Sequence, residues 1–149
     1  MKKVVISGYY GFNNAGDEAI LAALVAGLRR EAARRGEELK ITVLSASPAE
    51  TAARHKVAAV GRMNIWQIIR ELSTADLFLS GGGGLLQDRT GQGLSVAYYL
   101  GLVFLARLLG KPAVLYAHGI GPVKRACNRL LVRLVANRAA QVSVRDEAS

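Results

Sequence analysis

KVVISGYYGFNNAGDEAILAALVAGLRREAARRGEELKITVL, residues 3–44, reads as strand, loop, helix and strand, one complete βαβ unit. Lys3 to Ser7 is a β-branched run that stops at Gly8, and branched side chains suit a pleated strand better than a helix. From Asp17 to Arg35 apolar residues recur at Ile20, Leu21, Leu24, Val25 and Leu28, the spacing of a helix with one face on a core. Arg34 and Arg35 complement the negative end of the helix dipole, Gly36 supplies the stop, and Leu39 to Leu44 is the returning strand.

The alternation continues outward from this unit. Pro48 to Lys56 reads as a short surface helix or loop, Val57 to Val60 as a minor strand and Ile65 to Leu72 as a helix. Asp76 to Ser80 is a buried strand running into four glycines, and Leu94 to Leu109 is a helix. Ala113 to Ala117 is a strand after Gly110-Lys111-Pro112, Val123 to Asn137 a helix, and Val142 to Val144 a last short strand. Near-continuous apolar strands alternating with helices define an α/β protein with a doubly wound, Rossmann-like parallel sheet of five to seven strands.

Bulk composition narrows the function classes. A chain of 149 residues holds one domain, and 51% hydrophobic against 21% charged residues excludes disorder. Only Val4-Val5-Ile6 precedes Ser7, too little for the apolar core of an export signal, so a cytoplasmic location is expected. The longest apolar stretch, Val96 to Ala106, falls short of the roughly 20 residues that span a bilayer and reads as a buried helix. A single cysteine, Cys127, excludes an internal disulfide and a cysteine-cluster metal site, and no metal site is expected.

The formal charge is +9, and eight basic residues lie between Arg107 and Arg145 with no acid among them. Lys124, Arg125, Arg129 and Arg133 lie partly along one helical stripe opposite Leu130, Leu131, Leu134 and Val135. That stripe is a solvated face, or one drawn to anionic lipid at the inner membrane face or to an acidic partner domain. The aromatic-basic interleaving of nucleic-acid readers is missing, so no nucleic-acid partner is expected.

Ligands of doubly wound sheets sit at the carboxyl ends of strands, and three loops there stand out: Gly8 to Asp17, Gly81 to Asp88, and His118 to Pro122. Glycines at 8, 11 and 16 do not match G-x-G-x-x-G, which argues against a nicotinamide dinucleotide. Gly11 lets backbone approach a ligand, while Asn13 and Asn14 offer donors and acceptors suited to sugar hydroxyls. Asp17 is either a helix cap or a binding or catalytic group.

Gly81, Gly82, Gly83 and Gly84 carry a large entropic cost for a plain turn, so close ligand approach is favoured there. A helix beginning near Leu85 would aim its free amides at a phosphate or carboxylate, with Gln87 and Asp88 beside it. No Walker ending follows. His118, directly after the strand ending at Ala117 and before Gly119, is placed for acid or base work. His55, in a polar segment without partners, reads as solvated, and at least one of Tyr98 and Tyr99 as core.

These loops, in particular Ile6 to Leu21, Ser80 to Asp88, Tyr116 to Pro122 and Val142 to Glu147, resemble the polysaccharide pyruvyl transferase family over essentially the whole chain. The resemblance implies a two-domain enzyme similar to GT-B glycosyltransferases, of which residues 1–149 are the amino-terminal, acceptor-side half, with a second Rossmann-like domain beyond them. It implies transfer of pyruvyl from phosphoenolpyruvate, as donor substrate and with no further cofactor, onto a saccharide or lipid-linked saccharide of a cell-surface polysaccharide precursor as a cyclic ketal. Asp17 is then the candidate base; the family pattern usually has glutamine where this chain has His118, which speaks against a general catalytic role there. A nucleotide-sugar glycosyltransferase and a non-catalytic sugar-binding remnant are the alternatives, and the exposed domain face is expected to favour self-association.

Overall fold

The computed structural model describes residues 1–86, 94–120, 126–135 and 140–144. Along them run β1 (Lys2–Ser7), α1 (Ala15–Arg35), β2 (Leu39–Ser45), α2 (Pro48–His55), β3 (Ala58–Gly61) and α3 (Ile65–Ser73). Next come β4 (Leu77–Ser80), β5 (Gly83–Leu86), α4 (Leu94–Leu108), β6 (Ala113–Ile120), α5 (Ala126–Val135) and β7 (Gln141–Val144). All seven strands pair in parallel, as the alternation predicts.

The strands lie in the order β3-β2-β1-β4-β6, and β7 holds the far edge of β6. From β1 the chain moves outward through β2 and β3, then returns to place β4 on the other side of β1. The β1–β4 boundary is therefore the switch point at which open α/β sheets bind ligands. Register aligns the carboxyl ends there, with Ser7 beside Ser80 and Ser80 beside Leu115.

The run Val4-Val5-Ile6 is apolar without alternation because both sheet faces are covered. Val5, Phe78, Ala113 and Leu115 pack with Ile68 and Leu72 of α3 and Leu102, Val103 and Ala106 of α4. Val4, Ile6, Ile41, Val43 and Leu79 pack on the opposite face against Leu21, Leu24 and Val25 of α1. Helix ends obey their local chemistry: Gly36 adopts φ 65° and returns its N–H to the carbonyls of Ala32 and Ala33. Pro48 opens α2, where its missing N–H costs nothing.

Four expectations are corrected. No helix begins near Leu85: Gly83 to Leu86 form β5, and the Gly83–His118 pairing keeps the register of Ser80–Leu115. The glycine run thus prolongs β4 past a break at Gly81 and Gly82, because β6 supplies backbone partners beyond the usual edge. That strand does not end at Ala117; an irregularity between Leu115 and His118 carries it on to Ile120, with Ala117 at φ 50°. On α4 one stripe, Ala97, Gly101, Phe104 and Leu108, stays exposed, since a crossover helix turns only one face to its sheet. On α5, Leu130 and Leu134 are exposed together with Arg129 and Arg133, while Val132 takes the inward position; Lys124 and Arg125 lie outside the described residues.

Candidate functional site

The loop between β1 and α1 is tied down at both ends. Asn14 caps α1, its Oδ1 accepting from the Gly16 N–H at 3.1 Å, so Asp17 stands in the first turn and is not the cap. Asn13, exposed and at φ 58°, adopts the left-handed conformation that asparagine tolerates better than most residues. Gly11 sits at φ 80°, and a Cβ there would stand 2.2 Å from Ser45 Oγ and 2.5 Å from the Ser47 nitrogen. The Ala46 N–H donates to the Tyr10 carbonyl at 3.0 Å and Ser47 Oγ donates to the Gly11 carbonyl at 3.0 Å. The loop is thereby fastened to the β2–α2 connection.

Glu18 completes the fastening. Its carboxylate accepts the Gly11 N–H at 2.9 Å and meets His55 Nε2 at 2.8 Å, with Arg54 at 3.7 Å. Burial alone would raise the Glu18 pKa, but the bonds from Gly11 and His55 and the charges of His55 and Arg54 outweigh it and hold it below the ordinary value. The reading of His55 as solvated is therefore corrected: its side chain is 6% exposed. Sequence spacing hides this partner, because 37 residues separate it from Glu18.

Across the switch point, Tyr10 folds back over Gly8 and reaches Gly81. A Cβ on Gly8 would stand 2.3 Å from Tyr10 Cζ, and one on Gly81 2.0 Å from the Tyr10 hydroxyl oxygen. A Cβ on Gly82 would stand 2.6 Å from the Ala117 carbonyl oxygen. The close approach these glycines permit is thus to Tyr10 and to β6, within the fold itself.

The buried hydroxyls of Ser7, Tyr10 and Tyr99 make no hydrogen bond among the described residues, an unusual concentration at one edge of a sheet. Burial, then the charge of Asp17, raises the Tyr10 hydroxyl far above its ordinary value. Burial pushes Tyr99 up to about 12 against the pull of the Arg62 cation, which faces it without a well-formed hydrogen bond. Asp17 itself is raised, first by burial and then by the neighbouring Glu18 charge. A carboxyl with a raised pKa beside unsatisfied hydroxyls suits proton transfer to or from a bound ligand.

On the β2–β3 side of the switch point, at the same carboxyl edge, lies an open cleft of about 540 Å³, lined by Tyr9, Phe12, Arg62 and Asn64 among others. Tyr9 and Phe12 stack with centroids 4.1 Å apart and planes 9° apart. The Arg62 guanidinium lies 5.0 Å from the Phe12 ring centre, 4.6 Å from that of Tyr98 and 5.7 Å from that of Tyr99. Sequence reading missed Arg62 and these rings. The signal was its position: Arg62 comes directly after the minor strand β3, on the same carboxyl edge as the loops after β1, β4 and β6.

Of the residues expected at the site, Gly11, Asn13, Asn14, Asp17, Gly81 and Gly82 stand at or beside the switch point. Gly83 and His118 face one another in the β5–β6 ladder and Gly84 and Gly119 lie on those strands. Gln87 and Asp88 lie outside the described residues. Among the described residues no three His, Cys, Asp or Glu side chains gather as a metal ion would need, and no helix is long and apolar enough to cross a membrane.

A parallel, doubly wound sheet covered by helices on both faces defines a Rossmann-like α/β domain. Residues 14–149 match polysaccharide pyruvyl transferase, and the chain belongs to that family of transferases. Curated protein sequences show no match to it.

Proposed function

We propose that the protein moves the pyruvyl group of phosphoenolpyruvate onto a saccharide of a polysaccharide precursor, in the cytoplasm, with this domain holding the acceptor. Two sugar hydroxyl oxygens would bond to the enol carbon, the methylene would gain one proton, and phosphate would leave with the other, giving a cyclic ketal. Asp17 takes the proton of the attacking hydroxyl, and Asn13 and the switch-point backbone position the ring. The carrying observation is the match of residues 14–149 to the family, with Asp17, raised by burial, near the buried Tyr10 and Tyr99 hydroxyls, which have no hydrogen-bond partner among the described residues. A second Rossmann-like domain of the enzyme supplies the acid and holds the donor, so residues 1–149 alone are expected to be inactive.

The test is mass spectrometry of the two-domain enzyme incubated with a panel of lipid-linked saccharides and, in parallel reactions, phosphoenolpyruvate or nucleotide sugars as donor. A product carrying a ketal, formed with release of phosphate from phosphoenolpyruvate, supports the reading. Release of a nucleotide from a nucleotide sugar instead, with no ketal, would establish a glycosyltransferase.

A further inference from the structure

Arg62 is half-buried, and among the described residues no carboxylate lies within 4.0 Å of it. Its backbone is fixed from two sides, the N–H donating to the Ser45 carbonyl at 3.0 Å and the carbonyl accepting from the Tyr98 hydroxyl at 2.6 Å. Aromatic rings of Phe12, Tyr98 and Tyr99 surround the guanidinium, which hold a cation without using up its donors on a counter-ion. A cation positioned in this way, facing an open cleft, is a receptor for an anion that comes from outside.

Beside it, the stacked Tyr9 and Phe12 keep 40% and 42% of their surface exposed and line the cleft together. Ring faces of this kind pack against the C–H face of a sugar, and Asn64 on the same wall offers amide groups, although its Oδ1 already caps α3 through Gln67. Cleft size agrees with one or two sugar rings plus an anionic group.

We propose that Arg62 with Tyr9 and Phe12 forms a subsite for a saccharide phosphate, the phosphate on the guanidinium and the sugar against the rings. This assignment rests on the reading of the domain as the acceptor-binding half, and names the acceptor class as a phosphate-linked sugar. Phosphoenolpyruvate carries the same anion chemistry but no ring for the aromatic pair to hold.

Calorimetric titration of the protein with glucose 1-phosphate, methyl glucoside, inorganic phosphate and phosphoenolpyruvate separates the sources. Glucose 1-phosphate is expected to bind more tightly than either the neutral glucoside or free phosphate. Arg62→Gln should weaken it about 10- to 100-fold, the range of one charge-assisted hydrogen-bond pair. Tyr9→Ala, which removes the ring stacked on Phe12 and leaves the three rings around Arg62 in place, should weaken glucose 1-phosphate several-fold, by about the worth of one ring contact, and weaken inorganic phosphate less. Because Arg62 also braces its rings, a second readout needs no variant: the Nε–Hε resonance of Arg62 in the wild-type protein should move with glucose 1-phosphate and stay with methyl glucoside.

An unmoved resonance, or equal affinity of Arg62→Gln and wild type, overturns the subsite. So does Arg62-dependent binding of phosphoenolpyruvate without binding of glucose 1-phosphate, which would make Arg62 a donor residue. None of these readouts needs turnover. Binding through Arg62 without any ketal product would sink the pyruvyl reading and leave the subsite, while ketal formation with an inert Arg62 does the reverse.

Discussion

Gly81 and Gly27 are the same residue type under opposite constraints. Alanine at position 81 would put a Cβ 2.0 Å from the Tyr10 hydroxyl and 3.1 Å from Leu24 Cδ1, and Tyr10 is already seated against Gly8. Gly81→Ala is therefore expected to destabilise by about 1–3 kcal/mol, as overpacking does. Gly27, inside α1 with nothing within 4 Å of its added Cβ, should gain about 0.5–1 kcal/mol on substitution by alanine. Urea midpoints of the two variants check both signs. Asp17→Asn leaves the cap intact, since Asn14 provides it, and should lower the maximal rate of the proposed pyruvyl transfer about 100- to 10,000-fold if Asp17 is the base. Its raised pKa also sets a sign: a base must be ionised, so the acid limb of the rate profile should fall at a higher pH than an ordinary aspartate would give. Near-normal rate and sugar affinity in Asp17→Asn would move the base elsewhere. His118→Gln should retain the rate of pyruvyl transfer, since the side chain is not assigned a step in the proposed reaction.

At the scale of elements, Glu18 couples the β1–α1 loop to α2 through Gly11 and His55. Its folded pKa is depressed, so its stabilising contribution is present above the unfolded value of about 4.3 and is lost as pH falls through the folded value. Glu18→Gln should cost about 1–3 kcal/mol near neutrality. The gap from wild type should close in acid, once both proteins carry a neutral group; a constant gap across the denaturation series would show that the charge is not what matters. Asn14→Ala tests the same loop from the helix side, with an expected loss of about 0.5–2 kcal/mol.

For the whole molecule, the two cores on either side of the sheet behave as one unit only if β1 and β4, which contribute to both, hold together. Phe78, fully buried between β4 and the α3 and α4 layer, is the sharpest probe. Phe78→Ala is expected to cost roughly 3–5 kcal/mol by transfer and cavity terms. Fluorescence of Trp66 on α3 and circular dichroism should then report a single shifted transition. Two separated transitions would show that the α1 face unfolds independently.

The sequence by itself determined the parallel sheet, the carboxyl end of α1 and the place of the β1–α1 loop at the carboxyl edge. These have local causes: period 3.6 against continuous apolar runs, Gly36 and Pro48 at helix ends, and glycine-rich loops placed after strands. Tertiary structure alone decided which residues meet at that edge. The run Gly81 to Gly84 reads locally as a loop and helix start, yet β6 continues past the edge and recruits Gly83 to Leu86 as a strand. His55 reads as a surface residue until α2 packs beside α1 and brings it to Glu18. Arg62 follows the four-residue strand β3, and only the packing of α4, which sets Tyr98 and Tyr99 against it, turns that turn residue into a caged cation. Backbone propensity is encoded within a few neighbouring residues, whereas a pair such as Tyr98 and Arg62, 36 residues apart, is set by which helix crosses which strand.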